Sequence, residues 1–125
     1  MLDLQNLLRL RRDHLRLRQD LVGLVVELGD ESARSTLAIA RRIERIAVEL
    51  PRHFEEEEEI LPPLDVEGCP DHAELTAHLN TLRELAKLPL DRSYELRAAT
   101  TRFIELIELH LQYEEPLLSQ LIVDC

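Results

Sequence analysis

The chain has 125 residues and a formal net charge of -10 at pH 7, with 45% hydrophobic residues but only 3% aromatics. That length suits one domain with a real core. The acidic balance argues against a nucleic-acid backbone or an anionic membrane as partner, and no apolar run approaches the ~20 residues that a membrane span needs.

The first predicted helix runs from about Leu2 to Leu28 and stops at Gly29-Asp30. The second starts between Glu31 and Thr36 and ends at Pro62-Pro63, followed by a connector over 64–70. The third begins near Asp71, where Asp71 and Glu74 make a capping-box-like start, and ends at Leu88-Pro89. The fourth starts near Asp91 and runs to about Val123. Strands have little support, because Val, Thr and aromatics are few. Short connections make successive helices antiparallel, so the expected fold is all-α: an up-down-up-down antiparallel four-helix bundle forming a single domain over 1–125. The charged, leucine-periodic N-terminus is not a signal peptide. Cys69 and Cys125 make neither a disulfide framework nor a zinc ribbon, and a cytoplasmic location is the default expectation.

Two matching phrases stand out, His53-Phe-Glu-Glu-Glu57 and His110-Leu-Gln-Tyr-Glu114. Each places a histidine four residues before a glutamate, which on a helix puts imidazole and carboxylate on one face. Each is preceded at nearly the same separation by a further histidine, His14 before His53 and His72 before His110. The chain therefore reads as two copies of one unit.

All six residues fall on the apolar stripes that a bundle turns inward. His14 continues the series Leu7, Leu10, Leu17, Leu21, Leu24 and Leu28; His53 and Glu57 continue Ile39, Ile43, Ile46, Leu50 and Ile60. His72 precedes Leu75, Leu79, Leu82 and Ala86, and His110 and Glu114 lie among Phe103, Ile107, Leu117 and Leu121. Spacings of three and four mark an interior seam. In an antiparallel bundle Glu57 and His72 lie at one level, and His72 and His110 differ by roughly 5 Å at 1.5 Å per residue. His14 and His53 match less well, by roughly 10 Å on the same rise. A kink at Pro51 would narrow that gap, and Pro116 offers a second kink beside Glu114.

Carboxylates and imidazoles on a core seam need partners, because an ionised buried glutamate without one costs several kcal/mol. A site for two metal ions satisfies all six together; a buried His–Glu hydrogen-bond network without metal is the competing account. Imidazole with carboxylate suits iron, manganese or zinc better than calcium, and the lack of nearby thiolates weakens a structural-zinc reading. No histidine has a glutamate three residues before it, as ferritin-type di-iron bundles require, and there is no HExxH.

On the units DHLRL…RHFEEEEEILPPL and DHAEL…LHLQYEEPLL, which span nearly the whole chain, the sequence resembles the hemerythrin-like (HHE cation-binding) domain family. The resemblance implies a non-haem di-iron centre, its two iron ions oxo- or hydroxo- and carboxylate-bridged. His14 and His53 would bind one iron, His72 and His110 the other, and Glu57 and Glu114 would bridge. The oxygen carriers of that family have two histidines four apart on the third helix, and here Thr76 stands four after His72. His78 is about 240° round the helix from His72 and reads as a flanking residue. Both irons then keep two imidazoles, which points away from simple oxygen carriage.

The expected function is binding of dioxygen or a related small ligand, nitric oxide or peroxide, by a sensor, redox-responsive or carrier module. The alternatives are a di-iron enzyme acting on peroxide or oxygen, iron buffering, or a purely structural bundle. Of the glutamate run Glu55 to Glu59, only Glu57 lies on the seam; Glu58 and its counterpart Glu115 read as solvated, with Glu56 or Glu58 helping a metal from the edge as the alternative. Tyr113 reads as a partly buried packing residue, with a hydrogen bond to a ligand or a radical role as the alternative. Cys69 and Cys125 fall at the same end of the bundle as the six candidates, which leaves a redox-sensitive disulfide as a lesser alternative.

Overall fold

The structure is a computed structural model and describes residues 3–64, 66–89 and 93–125. Four helices follow in order, α1 over Leu4–Leu28, α2 over Ala33–Ile60, α3 over His72–Ala86 and α4 over Ser93–Asp124. Each packs against two neighbours, α1 with α2 and α4, and α3 with α2 and α4, which closes the four-helix ring. The expected starts at Leu2 and Asp91 lie outside the described residues. Among the described residues no helix is long and apolar enough to cross a membrane.

Local chemistry explains the ends. Asp3 caps α1 by accepting from the Gln5 amide, and Ser32 caps α2 by accepting from the Ser35 amide. Gly29 ends α1 with φ -74, so the stop uses ordinary right-handed backbone rather than a left-handed glycine cap. Asp71 Oδ1 accepts from the Glu74 amide at 2.7 Å, satisfying one orphan donor of the first turn of α3. Because His72 is the first residue of that helix, this cap also fixes where His72 stands. Asp71→Ala is expected to cost about 1 kcal/mol, read as a lowered urea midpoint of the metal-free protein.

The six seam residues form a polar layer that divides the apolar interior. On one side lies the larger cluster, with Leu21, Leu24, Ile39, Ile43, Leu79 and Phe103 among its members. On the other lie Leu7, Leu10 and Leu118, with Ile60, Leu61, Leu121 and Ile122 against them. α3 has no residues beside this second cluster, since it begins at His72. That explains where the stripe expected on α4 departs from the structure. Leu117 faces the side that α3 leaves uncovered and is half-buried, while Leu118 faces α1 and is buried. α2 continues through Pro51 and α4 through Pro116.

The expected 10 Å mismatch between His14 and His53 is not found: their ring centroids are 4.9 Å apart. The estimate compared Cα levels, but helical side chains lean toward their own N-terminus. His14 therefore reaches away from the α1–α2 turn and His53 reaches back toward it, so the two rings converge. The same lean brings His72 and His110 to 5.1 Å. Asp20, facing α2 from inside α1, is buried between Arg42 and Arg45; Gly23, beside it, leaves room for the Arg42 guanidinium.

Candidate metal centre

All six predicted residues meet in the polar layer. They form two overlapping sets, His14, His53, Glu57 and Glu114, and Glu57, His72, His110 and Glu114, with the ligand atoms of each set within 4.8 Å of one another. Both glutamates belong to both sets. These are buried His/Glu groups able to hold a metal ion. His14, His53, Glu57, His110 and Glu114 are buried, whereas His72 is half-buried.

The ring nitrogens divide their work. His110 Nδ1 donates to the Pro70 carbonyl at 2.8 Å, which can only accept, so the Nε2 of the neutral ring carries a lone pair. That Nε2 faces Glu114 Oε2 at 2.9 Å. His53 repeats the pattern, with Nδ1 toward Asp13 Oδ2 at 3.3 Å and Nε2 facing Glu57 Oε1 at 2.5 Å. His72 turns Nδ1 to Glu58 Oε1 at 3.0 Å and Nε2 toward Glu114 Oε2 at 4.0 Å. His14 Nε2 lies 2.8 Å from Glu114 Oε1 and 3.9 Å from Glu57 Oε2. Four Nε2 atoms thus converge on two carboxylates. Lone pair against lone pair is repulsive, and only a proton or a metal cation between the atoms reverses it.

Alignment carries the same message. His14 Nε2, His53 Nε2, Glu57 Oε1 and Oε2 and Glu114 Oε1 are buried without a hydrogen-bond partner among the described residues, despite these short separations. The ligand atoms of each set are close together, within 4.8 Å, without forming aligned hydrogen bonds at the unpartnered atoms. Unsatisfied buried polar groups of this number call for an explanation, and a coordinated cation supplies one. The donor set, four imidazoles and two carboxylates without thiolate, fits borderline metals such as iron, manganese or zinc.

Electrostatics shows what the layer does in the absence of a cation. Burial by itself would depress the His14 imidazolium, but the Glu114 and Glu57 carboxylates outweigh it and lift the pKa to about 9. Burial likewise opposes the charge of His72, and Glu114 and Glu58 overcome it, so its pKa is raised. Burial would raise Glu114, yet His110, His14 and His72 hold it well below the usual carboxylate range. Protons on imidazoles thus stand in for metal charge.

Sequence reasoning missed two outer partners, Asp13 and the Pro70 carbonyl, and offered Glu58 only as an alternative. Asp13, Glu58 and the Pro70 carbonyl orient His53, His72 and His110. Glu58, read as a solvated residue, is 63% exposed, but its carboxylate holds a ring of the layer. The signal for Asp13 was the Asp-His dipeptide repeated at 13–14 and 71–72. The two copies have diverged, since Asp13 serves His53 while Asp71 caps α3. Glu115, the counterpart of Glu58, pairs with Arg18 at 2.8 Å instead of a histidine, which leaves His14 Nδ1 buried without a partner among the described residues. Tyr113 is 38% exposed, and His78 is outside both sets.

Phe54 stacks on His72, with centroids 4.0 Å apart and planes 8° from parallel. Gly68, at φ 85, makes the left-handed step in the 61–70 connector that only glycine takes without strain. The connector delivers Cys69 Sγ to 3.8 Å from His110 Nδ1, on the ring edge turned away from the carboxylates. Cys69 and Cys125 are free thiols. Burial and the Glu114 charge raise the Cys69 pKa, so the thiol stays protonated.

No family model, no curated protein and no solved structure matches the chain.

Proposed function

We propose that the polar layer is a hemerythrin-like di-iron centre, and that the protein binds dioxygen or a related small ligand, nitric oxide or peroxide, as a sensor, redox-responsive or carrier module. The observation that carries this reading is the pair of four-ligand sets sharing Glu57 and Glu114. A single-ion site needs one set, and a structural hydrogen-bond network needs none of the shared, unaligned donors. His14 and His53 would hold one iron, His72 and His110 the other, and Glu57 and Glu114 would serve both.

Iron bound there supplies a redox couple and a coordination position for a small ligand. The chain's own residues supply the rest. Asp13, Glu58 and the Pro70 carbonyl fix the tautomers that aim Nε2 inward, and apolar clusters close the layer on either side along the bundle axis.

Elemental mass spectrometry of protein produced with iron and purified without chelator is expected to give close to two iron per chain. Zinc, one metal or none would overturn the di-iron reading. An optical change on exposing the diferrous protein to oxygen or nitric oxide is expected, and its absence would remove the ligand-binding part. Asp13→Ala, a change at a half-buried position, is expected to weaken iron binding about 10- to 100-fold through loss of the partner of His53; competition against a calibrated chelator measures it.

A further inference from the structure

The two halves of the centre are not equally covered. The side chain of His72 is 20% exposed, against 3% for His14, 8% for His53 and 4% for His110. The cause lies in the helix lengths. α3 begins at His72, so beside the ring the wall is formed by Leu61, Pro62, Pro63 and Leu64 of the connector instead of a helix. A cleft of about 430 Å³ opens there, and His72, His110, Glu57 and Glu114 all contribute to its lining. The cleft on the α1–α2 side is smaller, about 230 Å³, and of the six ligands it reaches His53 alone. It meets His53 beside Asp13, which holds the outward-facing Nδ1.

We infer that the small ligand enters from the α2–α3 side, meets the metal held by His72 and His110, and is uncharged. This rests on the di-iron reading above and adds to it the half of the centre that reacts and the class of ligand admitted. Leu61, Pro63 and Leu117 give the cleft an apolar wall, while Glu58 and Asp71 place carboxylates on it; among the described residues no lysine or arginine lines it. The whole chain carries -10, so the field opposes an incoming anion and leaves a neutral diatomic unaffected. Glu58 and the stacked Phe54 pin the His72 ring from two directions, so the ring does not swing across the opening.

The test uses the iron-loaded full chain and two filling substitutions at exposed positions, Ala73→Phe in the lining of this cleft and Val48→Phe in the other. Ala73→Phe is expected to slow nitric oxide association with the reduced protein about tenfold, at unchanged iron content; Val48→Phe is expected to leave the rate alone. Slowing by Val48→Phe, or none by Ala73→Phe, overturns the route. Azide association with the oxidised protein is expected to quicken as ionic strength rises, because repulsion is screened, while nitric oxide association stays constant. Azide association that slows with salt overturns the charge selection.

A second readout needs no metal. In the apoprotein, diethyl pyrocarbonate followed by peptide mass analysis is expected to modify His72 faster than His14 or His53, and Ala73→Phe to slow His72 alone. His53 reacting first would overturn the route. A chain that holds no iron would remove the di-iron reading, and the order of labelling would still decide which side is open.

Discussion

Glu114→Ala is expected to empty the centre of both metals and to destabilise the metal-free protein by on the order of 3–5 kcal/mol. Glu114 is the residue on which three of the four imidazoles converge, at 2.8 Å from His14, 2.9 Å from His110 and 4.0 Å from His72. Without it the buried His14 keeps only Glu57, at 3.9 Å. Removing one partner of a buried charged group leaves the other uncompensated, which is why the cost exceeds that of an ordinary surface pair. His72→Ala is expected to act differently, since His72 belongs to one set only, and to leave about one metal per chain at subsaturating iron. Elemental analysis and urea unfolding of the apoprotein read both effects. Two irons retained after loss of Glu114 would exclude the shared-carboxylate arrangement.

Opposite responses to pH are expected from the apo and the metal-loaded protein. In the apoprotein the His14 pKa is raised to about 9 from 6.5. Its protonation therefore stabilises the fold fully below about pH 6.5 and is lost as pH rises through about 9, a loss on the order of 3 kcal/mol. Glu114 works the other way. Its pKa is lowered, so its contribution is present above the unfolded carboxylate value of about 4.3 and lost on acidification. The apoprotein should be most stable between these limits. A metal ion needs His14 unprotonated, so metal affinity should climb over the range in which the apoprotein weakens. Thermal unfolding with and without Fe(II) between pH 6 and 9.5 measures both slopes. Parallel slopes would mean that metal and proton do not compete for His14, and iron content unchanged at pH 4 would contradict the expected acid release.

Much of the site was legible because two periodicities coincide in it. The helical repeat of apolar residues locates the inside of a bundle, and His14, His53, Glu57, His72, His110 and Glu114 interrupt that repeat without leaving it. A charged group is expensive at such a position, so its persistence on four helices at one level was informative. Levels were less legible. Counting residues from a turn gives the height of a Cα atom, whereas His14 and His53 meet through the lean of their side chains. Glu58 is mostly exposed, as its place in the run Glu55 to Glu59 implied, yet its carboxylate still reaches His72. The Pro70 carbonyl bears no side-chain signature, and only the path of the connector puts it on His110.

By itself the sequence determined the all-α class, the four helices and the six residues of the polar layer, because each follows from local spacing and from the cost of burying charge. The pairing of the layer into two sets around shared glutamates was implied by the family resemblance and is present in the structure; the tertiary structure alone decided the outer partners of three histidines and the open side at His72. Those depend on where one helix starts relative to its neighbours and on the course of an irregular connector. Both are set by packing between segments far apart in the chain, and spacing along the chain carries no record of them.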